Sequence, residues 1–269
     1  MNCVICGTVK NCGVFLNRVF KNMEKIGTLF QDYRILIYYD NSTDNTLNIL
    51  KSYQLQNPKF EFYVNKSPLS PYRTHNIAKG RNFCINTIKE KYSEYKYFIM
   101  MDCDDVCASD IKLNILYKNL RRSGAWDALT FNKQPYYDIW ALSIYPYCFS
   151  YNHFNNPDTT YHIIRNFIRE KLKKLTPGQL LRCISSFNGF SIYRTSKFLN
   201  SNYDGRVRVD LMPKQYINAH IKAANSPLIF HDYGDINGIY EDCEHRAFHV
   251  QAINTNDAKI MITNDVLFS

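Results

Sequence analysis

Apolar residues follow two different periods along the N-terminal part of the chain. Runs rich in Val, Ile, Leu, Tyr and Phe predict strands, because these side chains pack well on a pleated, buried surface. The runs are Cys3–Thr8, Arg34–Tyr39, Phe60–Val64 and Tyr97–Met101. Between them, apolar residues recur every three or four positions and predict helices. The apolar faces are formed by Leu16, Val19, Phe20 and Met23, by Thr46, Leu50 and Tyr53, and by Ile77, Cys84, Ile85 and Ile88.

The order of these elements predicts an α/β fold with a parallel sheet. Strands that alternate with helices of this length form βαβ units with right-handed crossovers. We expect Asn11 to cap the first helix, and Ser42 or Thr43 to cap the second. In such sheets ligands bind beyond the carboxyl ends of the strands. This rule gathers three segments at one edge: Thr8, the Asp40–Asp44 turn and the Asp102–Asp105 cluster.

The rest of the chain is less regular. It contains two further predicted strands, Ala128–Asn132 and Phe187–Tyr193, the second with Gly189 in its middle. Predicted helices cover Tyr161–Leu175 and Asp242–Ile253. The basic residues of the first of these helices form either a solvated face or a contact with an anionic acceptor or a membrane surface. These residues are Arg165, Arg169, Lys171, Lys173 and Lys174.

Composition narrows the class of protein. Hydrophobic residues make up 45% of the 269 positions, which is enough to build a core and argues against disorder. The net charge of +9 favours an anionic partner such as nucleotide phosphates, nucleic acid or an acidic membrane surface. Nine scattered cysteines suggest reduced thiols in a cytoplasmic protein. The N-terminus has no long apolar segment, so we expect neither a signal peptide nor a membrane anchor.

A cluster of carboxylates, Asp102, Asp104 and Asp105, follows the predicted strand Tyr97–Met101. Several negative charges at the end of a buried strand are costly unless a cation compensates them. Hard oxygen ligands suit Mg²⁺ or Mn²⁺, which keep room for substrate phosphates. The sequence therefore predicts a divalent-cation site here, the alternative being a solvated acidic loop that caps the next helix.

Three segments resemble motifs of family 2 and related glycosyltransferases of the GT-A fold. Asp40–Thr46 resembles their D-G/N-S-T-D-x-T turn, and Asp102-Cys103-Asp104 their DxD metal motif. Arg81-Asn82, after Ile77-Ala78, is similar to their A-x-x-R-N segment. The Tyr137–Trp140 segment and the layout also resemble fungal capsule mannosyltransferases and glycosyltransferases of large DNA viruses. A viral protein would act in the host cytoplasm or the virion.

The resemblance implies one catalytic domain over residues 1–269, an α/β, Rossmann-like GT-A fold whose mixed, mostly parallel central sheet is flanked by helices. Residues 1–108 would bind the nucleotide sugar and residues 109–269 the acceptor. The implied reaction moves a sugar from a UDP- or GDP-linked donor to a hydroxyl of a glycan or glycoprotein, with Mn²⁺ or Mg²⁺ as cofactor. The implied donor-binding residues are Thr8, Asp40, Arg81, Asp102 and Asp105, the metal ligands Asp102, Asp104 and His249, and the acceptor-binding residues Trp140, Asn188 and Gly189.

An inverting transfer also needs a carboxylate base for the acceptor proton. In the family an E-D segment at this point of the chain supplies it, so Asp242 is the first choice and Glu244 the second. At helical spacing Asp242, His245 and His249 share one face, and either histidine could complete the metal site. The alternative is an acidic helix cap beside packed histidines. The sequence does not decide between inversion and retention.

Two other classes of protein compete with this interpretation. A nucleic-acid binder or metal-dependent nuclease would fit the basic charge and the 21 Tyr and 17 Phe residues. However, the basic residues are dispersed and no nucleic-acid-binding motif is visible, so we expect no nucleic-acid partner. A sugar nucleotidyltransferase would carry a glycine-rich N-terminal loop with a basic residue, which Gly7–Gly13 matches poorly.

Overall fold

The computed structural model describes residues 1–154, 156–229 and 241–268, which are organised around one eight-stranded sheet. The strands are β1 (Asn2–Val9), β2 (Asp32–Tyr39), β3 (Phe60–Val64), β4 (Tyr97–Met101), β5 (Ala128–Asn132), β6 (Leu180–Cys183), β7 (Phe190–Arg194) and β8 (Ile260–Val266). The α-helices are α1 (Gly13–Gly27), α2 (Thr46–Gln56), α3 (Arg73–Lys91), α4 (Leu113–Leu120), α5 (Pro157–Lys173), α6 (Thr195–Phe198), α7 (Lys214–Ala224) and α8 (Glu244–Asn256).

The sheet is mixed and mostly parallel. Its strand order is β3-β2-β1-β4-β7-β5-β8-β6. The strand pairs β1–β2, β2–β3, β1–β4 and β5–β8 are parallel. Strand β7 runs antiparallel between β4 and β5 and joins the two halves of the sheet. The α/β fold expected from the sequence is confirmed.

Alternate residues of the central strands enter two hydrophobic cores, one on each face of the sheet. Cys3 and Ile5 of β1 pack with the first core, while Val4 and Cys6 pack with the second. Helices α1, α2 and α4 cover the first face, and α3, α5 and α8 cover the second. Strands β1, β2 and β4 are thereby buried on both sides, as their near-continuous apolar runs predict.

A single carboxylate, that of Asp44, organises the starts of α1 and α2. Its Oδ2 accepts a hydrogen bond from Gly13 N at 2.9 Å, and its Oδ1 accepts one from Thr46 N at 3.0 Å. Because each helix N-terminus carries partial positive charge, the Asp44 carboxylate stabilises both helices. The caps predicted at Asn11, Ser42 and Thr43 are therefore wrong. Those three residues instead bond to one another across the turn, with Asn11 in a left-handed conformation at φ 54°.

The turn before β7 holds the segment that follows β4. Gly189 lies ahead of the strand rather than in its middle, at φ +85°, because β7 begins at Phe190. Its carbonyl accepts hydrogen bonds from Asp102 N at 2.9 Å and Cys107 Sγ at 3.2 Å. A Cβ at Gly189 would lie 2.2 Å from Val106 Cγ1. Glycine is needed here for both conformation and space, and it fixes the Asp102–Cys107 segment.

All nine cysteines are buried and none forms a disulfide. Within the described ranges, no helix combines the length and the apolar character that crossing a bilayer requires.

We expect Gly189→Ala to destabilise the protein by about 3 kcal/mol, since it adds left-handed strain and a clash with Val106. This corresponds to a fall in melting temperature of roughly 5–10 °C. Gly124→Ala is the matched control, because nothing lies within 4 Å of its added Cβ, and its melting temperature should stay near that of the wild type. Equal melting temperatures for the two variants would contradict this role of the turn.

Candidate active site

A cleft of about 530 Å³ opens at the carboxyl ends of β1, β2 and β4. It lies where the strand order predicts a ligand site, because parallel strands end together at this edge. The structure brings eight of the residues named from the sequence into its wall: Thr8, Asp40, Arg81, Asp102, Asp104, Trp140, Glu244 and His245. It also brings in residues that sequence reasoning did not name as site residues, among them Arg73, Asn76, Tyr137, Asp138 and Phe187.

The buried guanidinium of Arg81 lies at the centre of the cleft wall. It donates to Asp102 Oδ1 at 3.0 Å and to Glu244 Oε1, and it contacts His245 Nε2. Burial lowers the pKa of Arg81, but the Glu244 and Asp102 carboxylates outweigh this and hold the pKa above its usual range. Arg81 therefore stays charged and compensates two carboxylates from distant parts of the chain.

Close packing of α3 on the sheet places Arg81 at this position. A Cβ at the preceding residue, Gly80, would lie 2.7 Å from the Tyr38 ring and 2.8 Å from the Thr8 methyl group. Only a residue without a side chain lets the helix approach β1 and β2 this closely. Arg81 also lies on the Phe187 ring, 4.5 Å from guanidinium carbon to ring centroid, a cation–π arrangement.

Asp102 and Asp104 form the acidic part of the cleft. Burial raises the pKa of Asp102 to about 7, an effect that Arg81 opposes and that Asp104 reinforces. Burial also raises the pKa of Asp104, whose Oδ1 accepts a hydrogen bond from Val106 N at 3.0 Å. Raised pKa values at two neighbouring carboxylates indicate that the protein's own cations compensate their negative charge incompletely.

This donor set fits a hard divalent cation. Among the described residues, no group of three or more His, Cys, Asp and Glu side chains could hold a metal ion by itself. Magnesium, however, is commonly held by one or two carboxylates together with substrate phosphates and water. Asp102 and Asp104 provide two such carboxylates beside open space.

Asp138 is the carboxylate that sequence reasoning missed. It lines the cleft opposite the strand ends, and its Oδ1 accepts a hydrogen bond from Ala141 N at 3.0 Å. Burial raises its pKa, and the nearby Glu244 carboxylate adds to the effect. From the sequence, the Tyr137–Trp140 segment contributes only a resemblance to known glycosyltransferases and an acceptor contact at Trp140, and Asp138 receives no role.

The two candidates for the base lie in different places. Glu244 opens α8, lines the cleft and pairs with Arg81. Asp242 precedes the helix, is 2% exposed and pairs with Arg246 at 2.8 Å. Burial would raise the pKa of Asp242, but Arg246 and His153 hold it below its usual range. Asp242 is therefore not among the described residues that line the cleft.

The two histidines of α8 also differ. His245 lines the cleft and stacks on Phe187, with ring centroids 3.8 Å apart. His249 is fully buried, with Nδ1 2.9 Å from Ser185 Oγ and Nε2 3.1 Å from Tyr193 Oη. Burial lowers the pKa of His249 to about 3. Because both ring nitrogens are occupied in the core, the structure does not bring His249 to Asp102 and Asp104.

Three other predicted site residues lie outside the cleft wall. Asn188 accepts from Tyr137 N and Asp138 N and donates to Phe131 O, so its amide holds the Tyr137–Asp138 segment in place. Gly189 belongs to the turn behind Asp102 described above. Asp105 is exposed on the outer side of the loop. Asn188 and Gly189 thus contact the backbone of cleft segments, not the cleft itself.

Four buried polar atoms of the cleft have no hydrogen-bond partner among the described residues. They are Tyr38 Oη, Arg81 Nε, Trp140 Nε1 and His245 Nδ1. Buried polar groups are nearly always paired, with water or a ligand where the protein offers nothing. Donors and acceptors clustered in one cleft fit a polar ligand with many oxygen atoms.

The sequence of residues 5–191 matches Glycosyl transferase family 2. A search of curated protein sequences finds no match. Among solved structures, TarS of S. aureus aligns with 100% of this chain and 36% of its own at a TM-score of 0.51 and 12% identity. TarS 1–349 in complex with UDP-GlcNAc gives a TM-score of 0.46 and 13% identity, over 100% of this chain and 57% of its own.

A mannosyltransferase from Pyrobaculum calidifontis, in complex with GDP-Man and Mn²⁺, aligns with 49% of this chain and 36% of its own, at 10% identity and a TM-score of 0.36. The chain spans less than two thirds of the length of each of these three proteins. The sequence match covers well over half of the chain and includes the cleft residues from Thr8 to Phe187, whereas Cys243, Glu244 and His245 lie beyond it. The chain belongs to glycosyl transferase family 2 and has the GT-A fold.

Proposed function

We propose that the chain transfers a sugar from a UDP- or GDP-linked donor to a hydroxyl of a glycan or glycoprotein, with Mn²⁺ or Mg²⁺ as cofactor. The bond from the anomeric carbon to the β-phosphate oxygen breaks, and a bond to the acceptor oxygen forms. The observation that carries this proposal is the pair Asp102 and Asp104 beside the buried Arg81 in one cleft. The two carboxylates can hold a divalent cation, and that cation together with the fixed Arg81 guanidinium can bind a diphosphate in the open space beside them.

Residues 1–108 supply the donor side in this proposal. Thr8 and Asp40 lie at the ends of β1 and β2 and offer polar contacts to base and ribose. Asn65 donates to Asp40 Oδ1 at 2.8 Å and fixes that carboxylate. Asp102 and Asp104 hold the cation, which when bound stabilises the charge that builds on the leaving diphosphate. Asp105 lies outside the cleft, so we assign it no donor contact.

Residues 109–269 supply the acceptor side. Trp140 lines the cleft with an unpaired indole N–H that can donate to a sugar hydroxyl. Asp138 is our candidate for the base, because a carboxylate with a raised pKa is better matched to taking a proton near neutral pH. Glu244 is held by Arg81 in a buried ion pair, which suits it to positioning that guanidinium.

The reaction class is tested by incubating the protein with Mn²⁺ and a panel of UDP- and GDP-sugars. We expect release of the nucleoside diphosphate, slowly to water and faster when an acceptor is present. A nucleotidyltransferase would release pyrophosphate from a nucleoside triphosphate and sugar phosphate, and a nucleic-acid binder would release neither product. Either of those two outcomes would contradict the proposal.

Asp104→Asn should weaken Mn²⁺-dependent binding of UDP or GDP by about tenfold or more, since an amide is a poorer partner for a dication beside phosphates. Asp105→Asn is the matched control, being the same chemical change one residue further on and outside the cleft. We expect it to bind like the wild type. Calorimetry in which Asp105→Asn loses affinity while Asp104→Asn keeps it would reverse the two assignments.

Asp138→Asn should lower kcat by on the order of 10²- to 10³-fold and leave donor Kd nearly unchanged, since a base acts only in the transition state. In the wild type, kcat should fall as the pH drops through the raised pKa of Asp138, because protonation removes the base. This acid limb should be absent in the variant.

The variants Glu244→Gln and Asp242→Asn separate the alternatives. Glu244→Gln should disturb Arg81 and weaken donor binding as well as turnover. Asp242→Asn leaves a buried Arg246 without its partner, so we expect a loss of about 3 kcal/mol in stability with normal kcat per folded molecule. A large fall in kcat for Asp242→Asn at unchanged melting temperature would identify Asp242 as the base.

A further inference from the structure

A groove lined by basic side chains leads away from the cleft along α5. It consists of two cavities of about 560 and 630 Å³ that share Arg165 and the Lys133–Tyr136 segment as a common wall. The outer cavity extends along α5 to Arg169 and Lys173. The inner cavity reaches Lys112 and Tyr137, and Tyr137 also lines the active-site cleft. Tyr137 therefore lines both the cleft and the groove, which lie side by side. We call this the basic groove.

The basic groove carries strong positive charge. Its basic residues are Lys112, Lys133, Arg165, Arg169 and Lys173, and no Asp or Glu occurs among its described lining residues. Glu170 lies just outside and pairs with Arg169 at 3.2 Å and Lys173 at 3.3 Å. Exposed ion pairs of this kind have small interaction energies, so the groove keeps most of its positive electrostatic field. The groove therefore attracts negative charge along its whole length.

Arg165 is the cation best placed to bind a ligand. It lies in the wall shared by both cavities, and no salt bridge to a described carboxylate holds it. Its guanidinium lies 5.8 Å from the centroid of the Tyr161 ring, which leaves its N–H groups available. A planar guanidinium binds phosphate, sulfate and carboxylate through two parallel hydrogen bonds.

Neutral polar groups accompany the charges. Asn132 is 6% exposed and lines the outer cavity, and its Oδ1 has no hydrogen-bond partner among the described residues. Asn166, His162 and Gln134 line the same cavity. Amide and imidazole groups match sugar hydroxyls, and the Tyr137 and Tyr161 rings of the inner cavity offer surfaces for a sugar ring. The lining of the groove therefore offers cations for anionic groups of a ligand and neutral polar groups for its hydroxyls.

The shape of the basic groove favours a chain over a flat surface. Lipid head groups would meet a convex or planar basic face, whereas these cations line cavities beside the cleft. Lys133 connects the two sites, because its Nζ donates to Val106 O at 2.7 Å in the loop that follows Asp104. A chain lying in the groove would therefore end beside the carboxylates of the cleft.

We propose that the basic groove binds a glycan chain bearing phosphate, sulfate or carboxylate groups and delivers its terminal hydroxyl to the cleft. The acceptor of this enzyme is then an anionic glycan. This assignment rests on the sugar-transfer function proposed above, but binding in the groove can be measured without any turnover.

The test measures fluorescence anisotropy of a labelled dextran sulfate oligosaccharide with the full chain, against uncharged dextran of the same length. The wild type should bind the sulfated probe, with an affinity that falls as salt is added, and should not bind the neutral probe. The double variant Arg165→Gln/Arg169→Gln should bind about tenfold more weakly, from two lost ionic contacts. The matched control is Lys171→Gln/Lys174→Gln, which removes the same charge from the last turn of α5 and the residue that follows it, outside the groove.

The control should keep wild-type affinity, and both double variants should bind UDP or GDP with Mn²⁺ normally. An equal loss in the two double variants would show a general effect of net charge and overturn the proposal. Tighter binding of a mixed-sequence DNA oligonucleotide or of phosphatidylserine vesicles through Arg165 and Arg169 would overturn it in favour of that partner. Absence of nucleotide binding in the wild type, with groove binding intact, would refute the sugar-transfer function instead.

Discussion

One buried cation, the guanidinium of Arg81, holds the cleft together electrostatically. It pairs with Asp102 at the end of β4 and with Glu244 at the start of α8, two segments far apart in sequence. Isolated carboxylates could not stay ionised in so buried a place, and the charge of Arg81 compensates both. The close approach of α3 at Gly80 places this guanidinium, which lies on the Phe187 ring and contacts His245.

Most of the N-terminal half, residues 1–108, could be predicted from the sequence, because local patterns determine it. The strands Phe60–Val64 and Tyr97–Met101 agree with the structure residue for residue. Parallel strands must end at the same edge, so Asp40 and Asp102 could be placed together without any long-range information. The end of the second half was harder. Strands β6 and β8 were not predicted. Strand β6 has only four residues, and periodicity over so short a run carries little information.

The part of the cleft wall formed by residues 109–269 depends on packing between distant segments, which periodicity cannot reveal. Helix α8 is buried around most of its circumference, so its sequence gives no apolar stripe that identifies the face toward the cleft. The helix also begins at Glu244, which places Asp242 outside the regular spacing with His245 and His249. Asp138 escaped notice because its environment is created by Asn188, whose amide holds its backbone.

The late strand β7 in the middle of the sheet has a consequence for biosynthesis. The chain emerges from the ribosome N-terminus first, so β1 to β4 can pair before β7 exists. Until residue 194 has emerged, β4 is an edge strand of five apolar or aromatic residues with one row of backbone groups unpaired. Such an edge is prone to intermolecular pairing. The nascent protein therefore carries an aggregation-prone edge on its N-terminal half through a long stretch of translation, and a chaperone that shields β4 in this interval would raise the yield of folded protein.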